Sequence, residues 1–135
     1  VLNSTIADNT ASAPNGIGCA IEGNGTTPSV FLKNTIVWGN TNTYPQLRYV
    51  SATYSLVEDG WPGTENIDQD PLFKGTGDYH ISKDSPCIDS GTLNGAPEKD
   101  FDDNRRPIGS GVDIGADEYF PFSANLPSIN QLLLN

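Results

Sequence analysis

Methionine is absent from this 135-residue sequence, histidine occurs once, cysteine twice, and lysine and arginine together number only 7. Against 17 acidic residues, so few basic ones leave a formal net charge of -10 and a pI near 4.1. Such a surface repels phosphate backbones and anionic head groups, so neither nucleic acid nor an anionic membrane is an expected partner. No run approaches the roughly 18 consecutive apolar residues that a spanning helix requires, so membrane insertion is not expected. The first residues, VLNSTIADN, have no basic n-region and no apolar h-region; the sequence is expected to start after processing or inside a longer protein. Helical periodicity is nearly missing as well, with INQLLLN at the end the only stretch to consider.

What is present is punctuation: 14 glycines and 10 prolines, which favour many short strands and turns over long helices. The length suits one domain with one modest core. Strand signals crowd the first half. NSTIADN, residues 3–9, returns as KNTIVWGN, residues 33–40, so that Thr5-Ile6-Ala7 matches Thr35-Ile36-Val37, and a fainter echo follows at Ser55-Leu56-Val57. GIGCAIEG and SVFLKN lie between the copies, apolar over a strand's length and bounded by Gly, Asn or Pro. Repetition at this period implies stacked units that bury an apolar stripe only against their neighbours. Without helical segments the unit is a strand-turn-strand coil, with Asn-rich turns that tolerate left-handed backbone. Ile6, Ile36 and Leu56 are expected to stack inside. After Gly60 the texture changes to short fragments divided by Gly, Pro and Asp, giving coils over 1–60, closing coils and a cap of the same domain over 61–120, and an extended tail over 121–135.

The ordered series NTIVWGN, YSLVEDG, NIDQDPLF, DYHISKDSPCIDSG and RRPIGSGVDIGADEY resembles the C-terminal part of bacterial right-handed parallel β-helix proteins. These are pectate-lyase-like surface and secreted proteins, among them the choice-of-anchor Q domain proteins. The resemblance implies an all-β solenoid of few coils closed by a loop-rich cap running from DPLF to DIGADEY. It implies no particular chemistry, because a fold does not fix a function.

The residues themselves give few chemical leads. A polysaccharide lyase needs a base beside a substrate carboxylate, commonly with calcium, and only Arg105 and Arg106 are adjacent basic residues. Their structural role is to pair with Asp113, Asp117 or Glu118. A glycoside hydrolase needs two carboxyls across a sugar; Asp68 with Asp70 and Asp100 with Asp102 offer pairs, which otherwise serve as turn formers. His80 in GDYHIS lies by alternation opposite Tyr79 and Ile81, and nothing in the sequence pairs it with a cysteine. GIGCAIEG lacks the third glycine of a dinucleotide fingerprint, Ile21 standing in its place, and reads as a strand.

In DFDDN, the oxygens of Asp100, Asp102 and Asn104 can converge on calcium, or the loop can be satisfied by its own backbone and Arg105, with Phe101 anchoring it to the core. Asn3 and Asn24 each fit the glycosylation pattern. Cys19 and Cys87 either form a disulfide, which would contribute on the order of 4 kcal/mol in the chain-entropy model, or are each a small buried apolar group. SPCIDSG, residues 85–91, is expected to be a buried strand and turn with Cys87 and Ile88 inward. Trp38, Trp61, Tyr44 and Tyr49 either stack on sugar rings or cover the core.

The expectation is therefore a non-catalytic extracellular or cell-surface module with a structural or adhesive role and a possible carbohydrate ligand. Its uncapped N-terminal end meets either the rest of a longer chain or another copy, building a filament head to tail. The alternative is the C-terminal fragment of a polysaccharide lyase or glycoside hydrolase.

Overall fold

A computed structural model describes residues 1–10, 19–41 and 45–121. Nine short strands form: β1 Thr5–Ala7, β2 Ile21–Glu22, β3 Val30–Lys33, β4 Ile36–Trp38, β5 Leu47–Arg48, β6 Val50–Thr53, β7 Leu56–Val57, β8 Phe73–Gly75 and β9 Asp78–Ile81. The described residues contain no helix, so the expected all-β class holds. The first seven strands form three small parallel sheets, ordered β1-β4-β7, β2-β5 and β3-β6, so neighbours are always three strands apart in the chain. No sheet closes into a barrel. The last two strands form an antiparallel hairpin.

The strands are short because left-handed residues bracket them. Asn3, Asn34 and Tyr54 have φ of 40°, 51° and 49°, and on the far side Asp8, Gly39 and Asp59 have 55°, 67° and 67°. In the register of β1-β4-β7 these form two ladders of corners, and each corner ends the extended backbone. Asn and Asp accept this conformation because their short side chains bond locally. Asn34 Nδ2 donates to Asn3 Oδ1 at 3.2 Å, and Asn9 Nδ2 donates to Asn40 Oδ1 at 2.9 Å. The asparagines thus join one row of the sheet to the next.

These ladders correct the expected stacking of Ile6. Thr5 faces Ile36, Ile6 faces Val37 and Ala7 faces Trp38, one residue away from the alignment of the two Thr-Ile pairs. Ile36 does face Leu56, as expected. Because side chains alternate along a strand, the shift sends neighbours to opposite faces. Val37 and Val57 join Leu32, Leu47, Val50 and Ala52 in a first buried cluster enclosed by all three parallel sheets. Ile36 and Leu56 join Ile81, Cys87 and Ile114 in a second, built largely by the C-terminal half. Burying each of these Ile and Leu side chains contributes about 1.5–3 kcal/mol.

The C-terminal half is mostly turns. SPCIDSG is not the expected strand: the N–H groups of Ser85, Ile88 and Ser90 donate to the carbonyls of Ser82, Ser85 and Cys87, each three residues back. Cys87 is nevertheless fully buried and Ile88 packs on the second cluster. Asn34 fastens this half to the sheet, its amide donating to Thr92 O at 2.7 Å and its Oδ1 accepting the Thr92 N–H at 2.8 Å. Gly115, at φ 113°, lies so close that a Cβ there would stand 2.7 Å from Ile36 Cδ1. Phe101 is not a core anchor: it is 55% exposed. The expected tail falls almost wholly outside the described residues, and INQLLLN entirely so.

Candidate functional site

The sole histidine stands on β9, two residues from Asp78, and alternation places both side chains on one face of the strand. His80 Nδ1 lies 2.5 Å from Asp78 Oδ1. Its other nitrogen, Nε2, lies 2.7 Å from Asp102 Oδ2, at the tip of the DFDDN loop. The Phe101 ring tilts against the imidazole, 4.8 Å between centroids. Beneath them Asp117, 4% exposed, accepts the Ile81 N–H at 2.8 Å. One nitrogen of His80 and one carboxylate oxygen each of Asp102 and Asp117 all lie within 4.8 Å of one another.

These contacts bias protonation. The hydrogen bonds to Asp78, then to Asp102, raise the His80 pKa against its partial burial. The same contacts hold Asp78 below its ordinary value, while burial pushes Asp117 up despite the Ile81 N–H. The imidazole lacks one element of nucleophilic catalysis: among the described residues no Ser, Thr or Cys side chain bonds to it. Cys87 is sealed in the second cluster and pushed up to about 12, chiefly by burial, so it offers no thiolate.

The DFDDN loop takes its shape from Asp100. Its Oδ1 accepts the N–H groups of Asp102 at 2.9 Å and Asn104 at 2.8 Å. Its Oδ2 accepts Asn104 Nδ2 at 3.0 Å and the Glu118 N–H at 3.2 Å. A carboxylate has about four lone-pair sites, and all are engaged. Asp100 thus satisfies the loop from within, the alternative to a calcium set of Asp100, Asp102 and Asn104, and Asp102 turns to His80. Arg105 stays exposed, its backbone bridged antiparallel to Lys99 at the base of the loop.

The remaining acidic residues of VDIGADEY clip loops together. Glu118 and Arg106 form a buried ion pair at 2.7 Å, as expected for one of the two arginines. Glu118 also accepts the N–H groups of Asp113 at 2.8 Å and Ile108 at 2.9 Å, while Arg106 donates to Gly115 O at 2.9 Å. Asp113 accepts the N–H groups of Asp89 at 2.7 Å and Tyr119 at 2.6 Å. Asp89 accepts the N–H groups of Ser110 and Gly111 and the Ser110 hydroxyl. Asp70, from the first candidate hydrolase pair, caps the Leu72 N–H at 2.8 Å.

Cys19 and Cys87 are free thiols, so the disulfide is not formed; Cys19 lies partly exposed just before β2. Asn3 is a poor glycosylation acceptor because it is buried and its amide bonds Asn34 and Asp113 O. Asn24 is exposed. Trp61 packs on the first cluster and donates Nε1–H to Val50 O at 3.1 Å; Trp38 packs on the second. Tyr49 holds Arg48 over its ring, and Tyr44 lies outside the described residues. The constellation around His80 was missed by sequence reasoning, although the Asp-x-His spacing in β9 carries a signal for its first pair. No family model, curated protein or solved structure matches the chain.

Proposed function

We propose that this chain is the closing portion of a right-handed parallel β-helix, a non-catalytic module of an extracellular or cell-surface protein with a structural or adhesive role. The pairing of strands three apart and the stacked left-handed corners support the solenoid reading. The observation that carries the non-catalytic reading is the use of the acidic residues. Asp89, Asp100, Asp113 and Glu118 are occupied by backbone N–H groups or Arg106, which commits these four carboxylates to holding the loops rather than to acid–base work on a sugar.

Self-association, or contact with the rest of a longer chain, would use the opposite end. β1 and β2 each have a strand neighbour on one side only among the described residues. Val1 and Leu2, which run beside β3 at Phe31 and Lys33, and Phe31 itself are 51%, 49% and 66% exposed. An open strand edge next to an apolar patch is a template for strand addition, and repeated head-to-tail addition gives a filament. The test is light scattering coupled to size exclusion across a concentration series, with negative-stain microscopy, alongside an unsaturated-product absorbance assay on pectin and alginate. Concentration-dependent oligomers without lyase activity are expected. A monodisperse monomer overturns the assembly, and activity of this chain overturns the non-catalytic role.

A further inference from the structure

Three segments far apart in sequence converge at His80: strand β9, the DFDDN loop and the buried stretch from Val112 to Tyr119. We propose that His80 Nε2 and the carboxylates of Asp102 and Asp117 bind a divalent transition cation of the zinc, cobalt or manganese class, and that Asp78 positions the imidazole for it.

The donor chemistry selects the class. One imidazole nitrogen with two carboxylates suits zinc-like ions, whereas calcium takes six to eight oxygens. The spacing fits as well. In a tetrahedral zinc site with bonds near 2.0–2.2 Å, neighbouring donor atoms stand roughly 3.4 Å apart. The present donors lie from 2.7 Å apart at the closest to within 4.8 Å at the widest, so side-chain adjustments of about 1 Å complete the set, well within the freedom of the partly exposed Asp102. Three protein donors leave a fourth position for water.

Asp78 supplies an independent sign. A histidine that ligates through one nitrogen almost always gives its other N–H to a carboxylate or carbonyl, which fixes the tautomer and the ring orientation. Asp78 holds Nδ1 in this way and turns Nε2 toward Asp102. Charge agrees too, because three carboxylates surround one imidazole, an excess that a dication largely offsets. The ion would replace the Nε2 proton now shared with Asp102 and release it to solvent. Its effect would be to fasten β9, the loop and the closing stretch at one point.

The single histidine makes the test unambiguous. Zinc chloride is titrated into the untagged chain carrying Cys19→Ser while long-range 1H–15N correlations of the imidazole are recorded. One equivalent is expected to move the Nε2 signal and leave Nδ1 protonated. Asp102→Asn and Asp117→Asn should weaken binding by at least about tenfold, and Asp78→Asn by about 10- to 100-fold. Asp103→Asn, at the neighbouring exposed residue paired with Lys99, should titrate as the parent. Asp102 is exposed, so its variant keeps the test open even if Asp117→Asn fails to fold. Unchanged imidazole signals overturn the site, as does an Asp102→Asn variant that binds zinc as tightly as the parent.

Discussion

Replacing Glu118 by glutamine takes the charge from a side chain with no solvent exposure while leaving Arg106, 1% exposed, without its counter-ion. Breaking a buried pair from one side costs about 3–5 kcal/mol, against a total stability of about 5–15 kcal/mol for a domain. The more informative variant is the double replacement Arg106→Met with Glu118→Met. Exchanging a buried ion pair for apolar groups of similar volume is often neutral or stabilising, which a simple pairing role would predict here. In this protein the two side chains also satisfy the backbone. Glu118 accepts the Asp113 N–H, Arg106 donates to Gly115 O, and both of those residues are buried. Two orphaned buried groups at about 1–3 kcal/mol each set a cost of at least about 2 kcal/mol for the double variant, with no rescue. Urea unfolding followed by the fluorescence of Trp38 and Trp61 reads this as a shift in midpoint at constant slope. A double variant within about 1 kcal/mol of the parent would refute the reasoning.

Two further outcomes are expected. Burial pushes Asp113 up to about 7 from 3.8, helped by the Glu118 and Asp89 carboxylates and opposed by the Asp89 and Tyr119 N–H groups. With the folded value above the unfolded one, the native state holds the extra proton between about pH 4 and 7, and stability falls as pH rises through that window. His80, also raised, adds a decline in the same direction above its ordinary value. Burial pushes Asp89 up, but the Gly111 N–H and the Ser110 hydroxyl and N–H outweigh it and hold the group below 3.8, so its contribution is lost in stronger acid. Urea midpoints across pH should therefore peak in mild acid, and Asp113→Asn should flatten the decline; an unchanged slope in that variant would contradict the assignment. Second, a thiol reagent at pH 8 should label Cys19 readily and Cys87 only after denaturation, because burial both shields Cys87 and raises it to about 12. Equal native labelling rates would contradict the burial.

The parallel sheets were legible because β-branched runs recur between turn residues. Their register was misread because the paired Thr-Ile letters catch the eye, whereas the physical constraint lies in the corners. Asn3 with Asn34 and Asn9 with Asn40 stand 31 positions apart, and the left-handed turns at Asn3, Asn34, Asp8 and Gly39 together with the asparagines' mutual bonds set the alignment. The turn-rich texture of the C-terminal half was legible, and so was the pairing of Arg106 with an acidic residue of VDIGADEY. SPCIDSG was misread as a strand because alternation cannot distinguish a buried extended run from turns whose N–H groups bond three residues back. The histidine constellation was hidden for a different reason. Asp102 and Asp117 reach His80 only after Asp100 has folded its loop onto the Glu118 N–H, a contact between segments that no local pattern encodes.

The sheet β1-β4-β7 works as a party wall. Val37 and Val57 furnish the room on one side, Ile36 and Leu56 the room on the other, and neither room owns the partition. A chain cut after residue 60 would leave Ile36 and Leu56 facing water, while residues beyond the cut would hold Ile81, Cys87 and Ile114 against nothing. The two compartments must therefore be built and lost together. One residue inserted into β4 would exchange the tenants of both at once, since a single step along a strand reverses every side chain that follows it.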